Sequence, residues 1–173
     1  MEKTSVVVSP LKKEDIPKLV EILVQHIVDE KTGEVLRGEI NEIKNCMSGQ
    51  LDVYDRVRKY FVAKNERGEV LGSMAYSEPN LQMLNHFKTT PKQSAELSNA
   101  FVSSSVFRGQ GVGRQILETI FDVARKNGKK YLLVRSRPRY KKSWGFYDKM
   151  FDESWGFLKD ESGTSRKTWR KRL

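Results

Sequence analysis

The chain has 173 residues, 38% of them hydrophobic and 31% charged, with 32 basic and 22 acidic side chains for a net charge of +10. No run approaches the roughly eighteen apolar residues of a membrane span, and the opening "MEKTSVVVSP" is too briefly apolar for a secretory signal. The lone Cys46 excludes an internal disulfide and a cysteine-built metal site. The totals read as one soluble domain, residues 1–173, in a reducing cytoplasm.

The positive charge is local. "KKYLLVRSRPRYKK" and "TSRKTWRKRL" hold seven and five basic residues and no acid, and setting those twelve aside leaves 20 basic against 22 acidic residues. Such stretches suit a phosphate, a nucleic acid or an acidic substrate, or serve as a solvated face.

In chain order, residues 4–9 ("TSVVVS") read as a strand closed by Pro10. Residues 14–30 place Ile16, Leu19, Val20, Leu23, Val24 and Ile27 on one helical face, with Asp15 as N-cap and Pro17 in the first turn. Residues 33–47 form a second helix with Val35, Leu36, Ile40, Ile43 and Met47 inward. "KYFVAKNERGEVLGSMAYS" is a hairpin turning at residues 65–68. Residues 78–95 make a long connection, read either as a helical turn packed on the core or as a lid. The strand "ELSNAFVSS", the helix "VGRQILETIFDVARKNG" ending at Gly128, the strand "KYLLVRS", a short helix in "KKSWGFYDKMF" and one or two strands complete a mixed α/β order.

The segment "VFRGQGVGRQILETIFDVARKNG" sets glycines at the mouth of an amphipathic helix. A helix N-terminus offers unpaired N–H groups and the positive end of the dipole, and glycine lets a phosphate approach. Arg114 stands where a dinucleotide fingerprint needs its third glycine, and no Gly-Lys-Ser/Thr ending follows for a P-loop. Arg108-Gly-Gln-Gly111-Val-Gly113 instead resembles the acyl-CoA loop Arg/Gln-x-x-Gly-x-Gly/Ala of the GNAT superfamily of N-acetyltransferases. Phe146-Tyr147-Asp148-Lys149 is similar to that family's Phe-Tyr-x-Lys signature, and the order of elements agrees over nearly the whole chain.

The resemblance implies a mostly antiparallel mixed sheet of six to seven strands, flanked by helices and splayed between strands 4 and 5. It implies acetyl-CoA as co-substrate, no metal, and an amine acceptor of unspecified identity. Phe101, Val102 and Ser103 offer main-chain groups to the pantetheine, and Val102 a candidate oxyanion N–H. Gly109, Gln110, Gly111, Val112, Gly113 and Arg114 receive the pyrophosphate, with Arg108 and Arg114 adding charge. Ser143 takes the small-residue position four before Tyr147. Tyr147 is the general acid for the departing thiolate. Glu96 is the candidate base, or else an ordinary surface residue. His26 reads as structural, and His86 as a loop histidine with a possible substrate role.

The pattern also departs from the family. Tyr140 replaces an asparagine common seven residues before Tyr147, and Phe151-Asp152 replaces Gly-Phe. Arg135, Arg137 and Arg139 alternate, so an extended segment sets them on one face about 6.6 Å apart. Acetylation of charged transfer RNA and non-catalytic acyl-CoA sensing are the alternative functions. Nothing in the sequence selects between monomer and homodimer.

Overall fold

The computed structural model describes residues 5–106 and 109–173. In chain order it contains β1 (Val7–Pro10), α1 (Ile16–His26), α2 (Arg37–Met47), β2 (Lys59–Lys64), β3 (Val70–Ser77) and α3 (Leu81–Phe87). Then follow β4 (Ser94–Val102), α4 (Val112–Lys126), β5 (Tyr131–Ser136), α5 (Trp144–Met150), β6 (Glu153–Lys159) and β7 (Ser165–Arg172). The sheet order is β1-β2-β3-β4-β5-β7-β6. It is the expected mixed, mostly antiparallel sheet, with β4 and β5 as its parallel pair. The β4–β5 register runs from Ser94↔Tyr131 to Leu97↔Val134, and residues 98–102 of β4 lie beyond it. The chain divides into two compact units, Met1–Tyr76 with Asn99–Ile120 and Ser77–Ser98 with Phe121–Leu173.

In the first unit, the helical spacing of Ile16, Leu19, Ile22 and Leu23 buries one face of α1, and Ile40, Ile43, Cys46 and Met47 do the same for α2. Both faces pack on Tyr60 and Val62 of β2 and on Val70 and Ala75 of β3. Each fully buried Leu or Ile contributes roughly 1.5–3 kcal/mol, so these faces, more than helix propensity, hold the helices in place. Asp15 does not cap α1 with its side chain; it accepts the Lys12 N–H at 3.0 Å and pairs with Lys64 at 2.6 Å.

The second helix begins at Arg37, four residues later than its apolar spacing suggests. Gly33 takes φ +73°, Asp29 accepts the N–H groups of Lys31 and Thr32, and Val28 bridges to Val35. That closed turn satisfies the backbone locally, so helix does not extend through it. The hairpin forms as expected, with Gly68 at φ +78° in its turn.

In the second unit, the connection at residues 78–95 contains α3. Asn80 caps it by accepting the Met83 N–H at 2.9 Å, and Lys88 ends it in the left-handed region. Met83 and Phe87 are fully buried against Leu133, with Tyr131, Trp155 and Leu158 around them. The core-packing reading of this segment therefore holds, and the lid reading does not. Two strands close the chain, joined by a turn at Asp160, whose carboxylate accepts the Ser162 and Thr164 N–H groups.

Candidate active site

The end of β4 is shaped by an irregularity. Asn99 holds φ +48° within the strand, and its amide donates to the Tyr60 hydroxyl at 2.8 Å. A non-glycine residue in that region kinks the strand and is retained only when its surroundings fix it. Beyond it, the Ser103 N–H donates to the Leu71 carbonyl at 2.7 Å. A Cβ on Gly72 would lie 2.6 Å from the Phe101 carbonyl oxygen, so β3 meets β4 unusually closely there. The main-chain groups of Phe101 and Ser103 thus turn toward β3, and strand alternation turns those of Val102 away. The Val102 carbonyl accepts from His26 Nε2 at 2.7 Å, and the same imidazole packs on Phe101. His26 therefore has a definite structural task. Gln25 beside it accepts from the N–H and hydroxyl of Ser104 at 2.8 and 2.9 Å. The end of α1 pins the strand where it leaves the sheet.

From there the chain enters the glycine segment. Gly109 and Gly111 adopt φ +93° and +81°, conformations that side-chain-bearing residues rarely take. Helix α4 begins at Val112, so Gly113 and Arg114 lie in its first turn, where N–H groups lack helical partners. Val112 is buried and anchors the turn, while Gln110 is part-exposed. The exposed Arg114 pairs with Glu118 at 2.7 Å. Arg108 lies outside the described residues. This is an anion-receptive helix mouth on a strand whose outward edge offers the Val102 N–H.

The remaining candidates belong to the second unit. Tyr147 is buried among Trp169, Phe146 and Phe151, with ring centroids 5.0, 5.5 and 5.8 Å away. Burial pushes its phenol up to about 12, so it keeps its proton across the ordinary pH range. Ser143 is exposed at the start of α5 and makes no side-chain cap. Glu96 is not a surface residue: it is 2% exposed, accepts the Asn80 N–H at 3.3 Å and lies 3.7 Å from Arg135 Nε. His86 contacts the Trp155 carbonyl at 3.1 Å and the Thr168 hydroxyl at 3.0 Å, and burial lowers its pKa. Among the described residues no group of three or more His, Cys, Asp or Glu side chains could hold a metal ion, and no helix is long and apolar enough to cross a membrane.

The sequence model of the acetyltransferase (GNAT) family matches residues 22–152. The chain belongs to that family. No curated protein matches the acetyltransferase at a significant level. Among solved structures it resembles a GNAT-family acetyltransferase from Staphylococcus aureus Mu50, with 11% identity, 98% of this chain and 99% of the other covered, and a TM-score of 0.69. It also resembles the ribosomal-protein-alanine N-acetyltransferase of Brucella melitensis, with 21% identity, 96% and 99% coverage, and a TM-score of 0.64. A third is yncA from Salmonella typhimurium, solved with its cofactor acetyl-CoA, with 14% identity, 98% and 95% coverage, and a TM-score of 0.63. At these identities the likeness is one of fold.

The basic C-terminal run of the acetyltransferase is balanced in space. Arg166 pairs with Asp160, Lys167 with Asp148, Arg170 and Arg172 with Glu153, and Lys171 with Asp152, at 2.6–3.2 Å. These carboxylates stand on α5, β6 and their flanking turns, so the sequence run conceals them. The charge that motivated an RNA acceptor is thereby matched. Sequence reasoning also missed Gly72, Asn99 and Tyr60, which shape the end of β4. Their only sequence signals are an isolated glycine and an isolated asparagine inside strand patterns.

Proposed function

We propose that the chain is a single acetyl-CoA-dependent N-acetyltransferase domain, residues 1–173, acting on a primary amine by direct transfer. The observation that carries this reading is the pair of left-handed glycines, Gly109 and Gly111, opening α4 directly after β4. The N–H groups of residues 109–114 hold the pyrophosphate, with Arg108 and Arg114 adding charge. The outward edge of β4 at Val102 aligns the pantetheine, and Ser143 borders the cofactor. Acetyl-CoA, when bound, supplies a thioester whose carbonyl carbon takes the acceptor nitrogen, the C–N bond forming as the C–S bond breaks.

The side chains manage the protons. Glu96 takes one from the acceptor ammonium, directly or through water, because a free alkylamine has a pKa near 10 and must lose its proton to attack. The Val102 N–H polarises the reacting carbonyl. Tyr147 gives its hydroxyl proton to the departing thiolate and regains one from solvent. A phenol raised by burial is a weak acid, yet the thiolate needs only a positioned donor.

The test is thiol release from acetyl-CoA in the presence of primary amines. Tyr147→Phe should lower kcat by roughly 10²–10⁴-fold while leaving acetyl-CoA binding intact. Acetyl-CoA binding without turnover, and indifference to Tyr147→Phe, would favour an acyl-CoA sensor instead.

A further inference from the structure

The α3 face of the β4–β5 pair turns abruptly from apolar to polar. Glu96 pairs with Leu133 in the parallel register, and Leu133 packs on Met83 and Phe87 of α3. Side chains two residues further on share that face, which places Ser98 and Arg135 beyond the apolar layer. Arg137, still extended at φ −70° and ψ 152°, continues the row. On β7, Thr168 stands opposite Arg135, and Arg166 follows two residues away on the same face. The carboxyl ends of parallel strands in open α/β sheets are where ligands collect.

This corner gathers guanidinium groups. Arg135 has 6% side-chain exposure and donates to Gln82 Oε1 at 3.2 Å, and Arg166 has 16% side-chain exposure. Burial, and after it the positive charges of Arg135 and Arg137, weakens the hold of Arg166 on its own proton. The three groups therefore feel one another. Packing like charges together is costly unless an anion joins them.

A second observation points to a ligand. Asn80 is 5% exposed; its Oδ1 caps α3 and its N–H bonds Glu96, while its Nδ2 has no partner among the described residues. The Ser98 hydroxyl on the same face is likewise buried without a partner among them. Buried donors left unmatched cost about 1–3 kcal/mol each, and an amide Nδ2 is matched only by an acceptor atom.

We propose that the acceptor amine carries a carboxylate, and that Arg135, Arg137, Arg166, Asn80 Nδ2 and the Ser98 hydroxyl hold it while Glu96 faces its ammonium. An amino acid or similar zwitterion thus meets cationic and anionic side chains on one face. With Arg135 and Arg166 already matched by Glu96 and Asp160, a monoanion suits the corner better than a phosphate dianion. The assignment rests on the acetyltransferase reading above and names the class of acceptor for it.

The experiment measures thiol release from acetyl-CoA with the twenty standard amino acids, their α-amides, and ethanolamine beside phosphoethanolamine. An acetyl-CoA thermal shift accompanies each protein. The expected result is that at least one amino acid exceeds its amide by roughly 10- to 100-fold in kcat/KM, the range for a lost charge-assisted hydrogen bond. Arg137→Gln and, separately, Ser98→Ala should shrink that ratio. A ratio taken within one variant is independent of how much of it folds.

Equal use of acid and amide, preference for phosphoethanolamine, or turnover of no carboxylate-bearing amine would overturn the assignment while a thermal shift upheld the cofactor reading. Absence of any acetyl-CoA shift would overturn both.

Discussion

Replacing Gly72 by alanine tests how the end of β4 is set. The new Cβ would sit 2.6 Å from the Phe101 carbonyl oxygen and 3.0 Å from the Val102 Cα, both backbone atoms that no rotamer change can move. Reaching an ordinary contact of 3.4 Å parts the strands by about 0.8 Å at that point. The 2.7 Å bond from Ser103 N–H to the Leu71 carbonyl then stretches to about 3.5 Å, outside useful hydrogen-bond range. Overpacking costs about 1–3 kcal/mol and the weakened bond about 1 kcal/mol more. At about 2–4 °C per kcal/mol for a chain of this size, the melting midpoint should fall by roughly 4–16 °C. Acetyl-CoA affinity should fall as well, because Val102 moves with the strand. Thermal unfolding with and without acetyl-CoA reads both effects. An alanine variant melting within 1 °C of the parent, with unchanged affinity, would refute the argument that this close approach fixes the edge.

Three further outcomes follow from the buried and paired ionisable groups. Asp52 is buried and accepts from the Tyr54 and Arg56 N–H groups and from the Arg56 and Arg58 side chains at 2.8–3.1 Å, so Asp52→Ala should cost about 3–5 kcal/mol and lower the melting midpoint markedly. Hydrogen bonding from the Trp155 indole, with Arg170 and Arg172, pulls Glu153 down to about 2, and the Trp169 indole and Lys167 lower Asp148. These folded values lie below the unfolded ones, so their stabilisation is present above about pH 4.5 and lost as pH falls toward 2; Glu153→Gln should flatten that acid slope in a series of melts. Tyr60 and Tyr147 are both raised to about 12 by burial, so their contribution is complete below about pH 10 and lost as pH rises toward 12. In kinetics, Tyr147 should then impose no descending limb on kcat below pH 10, and a limb near 8 that vanishes in Tyr147→Phe would contradict its assigned state.

The parts of this molecule legible in the sequence are those written locally. The apolar residues Val112, Ile116, Leu117, Ile120, Phe121 and Ala124 are all buried on α4, because a helix repeats its inward face every three or four residues. The glycines before that helix needed no partner to betray their backbone. What escaped depends on residues far apart in the chain. Glu96 looked like a surface carboxylate until Asn80 and Arg135, 16 residues before and 39 after it, closed around it. The start of α2 was misjudged because Val35 and Leu36 fit an inward helical face and a bridged turn equally well, and Gly33 decided for the turn. Similarly, the main-chain direction of Phe101, Val102 and Ser103 depends on the Asn99 kink, and no side-chain pattern reports a single residue's φ.

The most direct measurement is thermal unfolding across an acetyl-CoA titration, with NAD and ATP beside it. Ligand at about 100 times its dissociation constant adds roughly 2.7 kcal/mol, which should raise the midpoint by roughly 5–10 °C. A shift with acetyl-CoA and CoA but not with NAD or ATP is the predicted result. No shift with acetyl-CoA, CoA or longer acyl-CoAs would contradict the assignment of Gly109, Gly111 and the mouth of α4 to the cofactor.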